Sequence, residues 1–307
     1  MRNAFINTLY ELAKQDNDIF LVTGDLGFGV LTKFWEDMPD QFINAGISEQ
    51  NMTSVAAGLA LEGKKVFTYS IANFPTLRCI EQIRNDVAYH RANVTIVSVG
   101  AGFAYGSLGM THHATEDIAI LRALPELTVF TPCDPYETIQ VTKLAAKIEG
   151  PKYIRLGKGG ERVLHLSQPV IEPGKSQCLK EGNEIAIFVA GAIANEALLA
   201  AEELNKFNIS CAVYSFSSVK PIDAELIIKL AKQMPYIFTL EEHNIMGGFG
   251  SAVAEVAVAE DINAKIIRLG LDDTYSSIVG SQSYLRDYYG LSSQKIVNKI
   301  RKFINSN

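Results

Sequence analysis

The sequence predicts an α/β protein built from two doubly wound units, each with a mainly parallel sheet. Short runs rich in Val, Ile, Leu and Phe alternate with segments of helical period, the order that a parallel sheet with crossover helices requires. The runs lack a polar residue at every second position, as strands covered on both faces should. The alternation breaks once, near the middle of the chain, so two units are expected rather than one.

In the first unit, assigned to residues 1–165, strands are expected at 19–24, 65–70, 93–100, 127–131 and 152–156. Apolar residues at helical spacing place helices around Ala4, Leu9, Leu12 and Ala13, around Met52, Val55, Ala56 and Leu59, and around Ile80, Ile83 and Val87. Asp134 followed by Pro135 reads as an N-cap and a first helical residue, opening a helix over 135–148. After Leu156 the run Gly157-Lys158-Gly159-Gly160, and then Pro169, Pro173 and Gly174, interrupt the rhythm. Residues 166–183 are therefore expected to form a linker. The second unit, 184–307, resumes with strands starting at 184, 211, 236 and 265 and with helices over 194–207, 224–231, 251–258 and 293–304.

Charge and composition remove several classes of function. The 307 residues carry 28 Lys plus Arg against 34 Asp plus Glu, a net charge of −6, which argues against a dedicated nucleic-acid binder. With 48% hydrophobic and 20% charged residues the chain reads as globular, not disordered or fibrous. No apolar run reaches the roughly 18 residues needed to span a bilayer, and no signal peptide is visible, so no membrane partner is expected. Cys79, Cys133, Cys178 and Cys211 are dispersed without CxxC spacing. They read as reduced, buried thiols, which points to the cytoplasm.

No glycine loop completes a nucleotide-binding fingerprint. The loops at 24–29, 100–106 and 247–250 lack GxGxxG, and Gly174-Lys175-Ser176 lacks the leading glycine of a phosphate loop. The Gly247 loop reads as a tight strand-to-helix turn. More informative is the stretch from Asn44 to Met52, where a strand ends and an apolar helix begins with Ser48 as expected N-cap. Glu49 then lies in the first turn, at the carboxyl edge of a parallel sheet, where it either serves the helix dipole alone or meets a ligand.

Two of the five histidines, His112 and His113, share the loop from Tyr105 to Asp117. Thr111 or Thr115 is expected to cap the next helix, with the imidazoles as polar caps, acid–base groups or sugar contacts. Adjacent histidines present both rings to one ion poorly, and no metal ligand is expected in this chain. Tyr69 and Phe74, at the end of a strand, are either core aromatics or a wall for a flat heteroaromatic ring.

Taken in order, Gly46-Ile47-Ser48-Glu49-Gln50-Asn51-Met52, Gly109-Met110-Thr111-His112, Thr131-Pro132-Cys133-Asp134 and Tyr153-Ile154-Arg155 resemble the C-terminal section of transketolase. The resemblance spans nearly the whole chain and implies a pyrimidine-binding domain over 1–165 followed by the family's C-terminal domain. It implies a thiamine-diphosphate enzyme that moves a two-carbon ketol unit from a ketose, itself phosphorylated, to an aldose. Glu49 is then the carboxyl group that meets N1′ of the aminopyrimidine, with Tyr69 and Phe74 stacking on that ring and Asp25 lying near the cofactor at a subunit boundary. His112 is implied as both a catalytic and a sugar-binding residue, and Arg155 and Arg2 as holders of the substrate phosphate.

Two positions depart from the family pattern: Leu108 replaces its usual Asp, and Gly100 stands where a further sugar-contacting His falls. Both put ordinary pentose recognition in doubt. The chain also has no Gly-Asp-Gly, the family signature for the diphosphate and Mg²⁺. The resemblance therefore implies a separate N-terminal-type subunit supplying those ligands, in an α₂β₂ assembly. A 1-deoxy-xylulose-phosphate synthase-like subunit, the β subunit of a 2-oxo-acid dehydrogenase and a non-catalytic partner are the alternatives.

Overall fold

A computed structural model describes residues 1–260 and 262–306. Its strands are β1 Ile19–Thr23, β2 Phe42–Asn44, β3 Lys65–Ile71, β4 Val94–Val99, β5 Thr128–Phe130, β6 Lys152–Leu156, β7 Gln177–Lys180, β8 Ile185–Ala190, β9 Cys211–Ser215, β10 Ser218–Lys220, β11 Tyr236–Asn244 and β12 Lys265–Leu271. They form a seven-stranded sheet in the order β10-β5-β6-β4-β3-β1-β2 and a five-stranded sheet in the order β12-β11-β8-β9-β7. All neighbours are parallel except β10 with β5 and β7 with β9. Two α/β units with mostly parallel sheets are thus present, as the alternating pattern predicts.

Strand periodicity divides the first core in two. Val22, Val66, Val94 and Ile96 face Met52 and Ala56 of the helix Glu49–Leu61, together with Ile83 and Val87. Leu21, Phe67, Tyr69 and Val97 face the other way, onto Phe5, Ile6 and Leu9 of the helix Arg2–Ala13. Successive residues of β3 alternate between these faces, which fixes where Tyr69 can point. In the second unit Ile187, Val189, Phe238 and Leu240 pack under the helices Ala194–Asn205 and Ser293–Asn305. Each such buried Phe, Leu or Ile contributes about 2 kcal/mol relative to exposure.

The domain boundaries differ from the sequence expectation in two places. β7 lies inside the expected linker 166–183 and pairs antiparallel with β9, Cys178 opposite Tyr214. Its partly exposed edge position needs no apolar run, so nothing in the pattern marked it. β10 belongs to the expected second unit, yet Ser218 pairs with Phe130 of β5 and extends the first sheet. The units therefore interlock, and one core cluster runs from Val22 and Met52 to Phe188 and Phe249.

Local expectations meet mixed outcomes. The Asp134 carboxylate accepts the Glu137 amide at 2.7 Å, capping the helix Pro135–Ala145. Ser48 holds the N-cap position of its helix, but its side chain makes no cap hydrogen bond. Neither Thr111 nor Thr115 caps the helix Asp117–Arg122; Glu116 occupies that position, and the Thr115 hydroxyl donates to the Glu116 carboxylate at 2.9 Å. Cys79, Cys133 and Cys211 are buried, whereas Cys178 is exposed on the edge strand β7, against expectation. Among the described residues no helix is long and apolar enough to cross a membrane.

Candidate functional site

The chain runs from β1 outward to β2, then crosses back over β1 to β3 and onward, so the first sheet reverses direction between β1 and β3. In open α/β sheets a crevice forms at the carboxyl ends of the strands on either side of such a reversal. Three loops meet there: Gly24 and Asp25 after β1, Asn44 to Glu49 after β2, and Ala72 to Phe74 after β3. The approach is close. A Cβ on Gly24 would lie 3.3 Å from the Gly46 carbonyl oxygen and 3.4 Å from Glu49 Cγ, so a side chain there would press on the carboxylate's stem.

Glu49 is 4% exposed, and its Oε2 accepts a hydrogen bond from Arg78 Nη1 at 2.7 Å. No hydrogen bond from a described residue reaches Oε1. The Arg78 guanidinium also lies 4.7 Å from the centre of the Phe74 ring, within cation–π range. Phe74 meets the His112 imidazole edge-on, with centroids 5.2 Å apart and planes at 70°. His112 Nδ1 is in turn 3.0 Å from the Thr111 hydroxyl. Glu49, Arg78, Phe74 and His112 thus form one continuous row, although they come from three separate segments.

Asp25 lies exposed on the rim of the same crevice, held by Asn44, whose Nδ2 donates to Asp25 Oδ1 at 3.0 Å and whose Oδ1 accepts the Asp25 amide at 2.9 Å. Its φ of 55° is in the left-handed region, which the paired amide stabilises. His113 parts from its neighbour: it is buried against Phe103, centroids 5.0 Å apart, and burial lowers its pKa.

Two expected site residues are corrected. Tyr69 is not a cofactor wall; it is 3% exposed and stacks on Phe5 at 6.3 Å with planes 6° apart, because its place in β3 turns it toward the first helix. Arg155 does not offer a free fork to a phosphate. It is 2% exposed, its Nε donates to Asp117 Oδ2 at 2.8 Å, and its Nη2 donates to the Ala114 and Glu242 carbonyls at 2.6 and 3.1 Å. Arg2 is half-buried, with Nε donating to Asn3 Oδ1 at 3.2 Å, and its charge opposes the rise that burial causes in the pKa values of Tyr69 and Tyr105. Gly100, with φ +105°, is packed beneath Tyr105, whose ring would stand 2.2 Å from any Cβ there. Leu108 is exposed.

A buried polar network joins the two units, and nothing in the sequence pattern revealed it. The Asp117 carboxylate is fully buried, accepts from Tyr153 Oη at 2.5 Å as well as from Arg155, and lies 3.9 Å from His243 Nε2. Desolvation lowers the His243 pKa to about 4 and raises that of Glu241 to about 7. Glu241 accepts the Phe249 and Gly250 amides at 2.6 and 2.8 Å, so the helix start at the Gly247 loop is filled by the chain's own carboxylate, not by a phosphate. Arg78 was also missed; a single arginine four residues beyond Phe74 carries no motif.

Comparison with known proteins places these features in context. Residues 1–161 match the family model of the transketolase pyrimidine binding domain, and residues 174–296 match that of the transketolase C-terminal domain. A protein of Methanocaldococcus jannaschii named as a transketolase C-terminal section is 38% identical, covering 98% of this chain and 95% of its own. An apulose-4-phosphate transketolase subunit of Phocaeicola vulgatus is 36% identical, covering 99% and 97%. A solved split gene transketolase, an inactive β4 tetramer, superposes with a TM-score of 0.88 at 37% identity, covering 98% and 96%.

Proposed function

This chain belongs to the transketolase family, and on that premise we propose that it is the C-terminal-type subunit of a split transketolase that works with thiamine diphosphate. The observation that carries the reading is the Glu49 carboxylate: buried at the sheet reversal, one oxygen held by Arg78 and the other without a hydrogen bond, beside an aromatic face. A flat aminopyrimidine fits this set, with N1′ toward the open oxygen of Glu49 and the ring toward Phe74. When bound, the coenzyme supplies the electron sink for breaking and making the carbon–carbon bond. Glu49 binds N1′ and holds the shared proton there, Arg78 fixes the carboxylate's orientation, and Asp25 borders the site where a partner would close it. His112 reaches toward the sugar hydroxyls and moves protons at them.

The partner is an N-terminal-type subunit carrying the diphosphate and Mg²⁺ ligands, in an α₂β₂ assembly. Support comes from the missing Gly-Asp-Gly and from relatives that this chain matches almost end to end. The donor and acceptor are a ketose and an aldose. A phosphorylated substrate is supported by the apulose-4-phosphate enzyme among the relatives. With Arg155 committed to Asp117, Arg2 is the remaining candidate in this chain for the phosphate.

The test is co-expression with the N-terminal-type subunit, followed by a thiamine-diphosphate-dependent assay over a panel of ketoses and aldoses. The reading expects two-carbon transfer that requires both subunits. Carbon dioxide release from pyruvate without ketol transfer would instead assign the chain to the deoxyxylulose-phosphate synthase chemistry.

A further inference from the structure

Away from the Glu49 crevice, three metal-ligating side chains converge where the two units meet. A ligand atom of each of Cys133, Glu137 and His165 lies within 4.8 Å of the other two. Cys133 follows β5, Glu137 sits in the first turn of the helix Pro135–Ala145, and His165 comes from the segment between β6 and β7. Cys133 and Glu137 are 1% and 0% exposed and the His165 side chain 9%. Such burial normally comes with satisfied hydrogen bonds.

Here two of the converging atoms have none. Glu137 Oε1 and His165 Nε2 are both buried without a hydrogen-bond partner, and they face one another across 3.5 Å. Two N or O ligands on a tetrahedral Zn²⁺, each roughly 2.0–2.1 Å from the ion, stand about 3.4 Å apart. The observed gap is thus the edge of a zinc tetrahedron.

The remaining atoms of the three side chains are tied back as ligands usually are. Glu137 Oε2 accepts the Cys133 amide at 2.8 Å. His165 Nδ1 lies 3.2 Å from Asp134 Oδ2, which also accepts the Leu164 and His165 amides at 2.8 and 3.2 Å. A carboxylate on the far nitrogen orients an imidazole for metal and fixes its tautomer. A cavity of about 220 Å³ bordered by Cys133 and Leu164 gives an ion a way in.

We propose that Cys133, Glu137 and His165 form a Zn²⁺ site, separate from the Glu49 crevice, with Asp134 orienting the imidazole and water or the nearby Ser215 hydroxyl completing the shell. Burial pushes the Cys133 thiol up, so binding releases its proton to solvent, along with any proton on His165 Nε2, and no electrons are exchanged. The ion ties the end of β5 and the following helix to the segment that crosses to the second unit. The sequence hid the site because His165 is remote from the other two and no paired ligand spacing occurs.

The test uses the full chain, stripped with a chelator and titrated with Zn²⁺ alone, with bound metal counted by mass spectrometry. Co²⁺ is substituted to read thiolate ligation by its charge-transfer absorption. Cys133→Ser and His165→Gln are compared with the parent, because exposed Cys178 is a second thiol able to hold metal. The proposal expects one tightly bound ion per chain, a cobalt–thiolate band, and a Zn²⁺-induced rise in Tm, with all three lost in both variants. Substoichiometric binding, the absence of a thiolate band in the parent chain, or equal binding in Cys133→Ser would overturn it. If a variant fails to fold, the parent's stoichiometry and cobalt spectrum decide alone.

Discussion

Arg78 donates to Glu49 Oε2 at 2.7 Å, yet the two side chains are unequally placed, Arg78 being 48% exposed and Glu49 only 4%. The carboxylate is fixed by the fold, while its partner reaches in from the surface. Arg78 is therefore a positioning residue. Arg78→Gln should lower kcat of the reconstituted two-subunit enzyme by about tenfold with a raised KM for thiamine diphosphate, and Arg78→Lys should recover part of the loss, since a single charged donor replaces one arm of the fork. Steady-state kinetics of both variants check this; equal loss in the two, together with a lowered Tm, would mean a merely structural contact.

The two aromatics at the end of β3 should behave oppositely. Phe74→Ala removes the ring beside Arg78 and His112 and should raise the thiamine-diphosphate KM with little change in stability, because Phe74 is only half-buried. Tyr69→Ala should leave that KM unchanged while destabilising the chain by about 3–5 kcal/mol, the cost of emptying a buried aromatic site against Phe5. Coenzyme titration and urea denaturation of the pair separate the roles.

At the junction of the units, Asp117→Ala leaves the Arg155 guanidinium buried without its counter-ion. A loss of about 3–5 kcal/mol is expected, read from urea denaturation. Because Arg155 also donates to the Glu242 carbonyl across the junction, protection of the β11 amides from hydrogen exchange should fall as well.

Glu241 and His243 give the stability a compensated pH dependence. From about 4.5 to about 7 the folded chain keeps a Glu241 proton that the unfolded chain has lost, so this group makes stability fall as pH rises. From 6.5 down to about 4 the unfolded chain takes up a His243 proton that the folded chain refuses, so this group makes stability fall as pH drops. Asp117, Arg155 and Arg268 face the pair and bias both values. In Glu241→Gln only the His243 contribution remains, and stability should decline toward acid more steeply than in the parent, by up to about 1.4 kcal/mol per pH unit. Denaturant titrations through that window test it; parallel curves for the two proteins would contradict the opposing assignment.

Much of this was legible in the residues. The buried strands β1, β3, β4 and β6 and the helix beginning at Glu49 follow from apolar periodicity, and the Asp134 cap follows from side-chain chemistry. β7 and β10 escaped because short edge strands bury little and need no pattern. Tyr69 and Phe74 looked equivalent in sequence; only strand alternation, referred to the helix that covers each face, separates them. Arg155 shows the same limit, since an arginine in a motif reads alike whether its fork is open or already filled. Arg78 and the Asp117 network depend on contacts between distant segments.

The central claim is that Glu49 meets the coenzyme, and Glu49→Gln in the reconstituted two-subunit enzyme tests it most directly. The variant keeps the side chain's shape and its contact with Arg78 but lacks an ionisable group to share a proton with N1′. The expected result is a fall in kcat of roughly 10²–10⁴ with circular dichroism and subunit assembly unchanged. Ketol transfer at the parent's rate would contradict the assignment of this crevice as the coenzyme site.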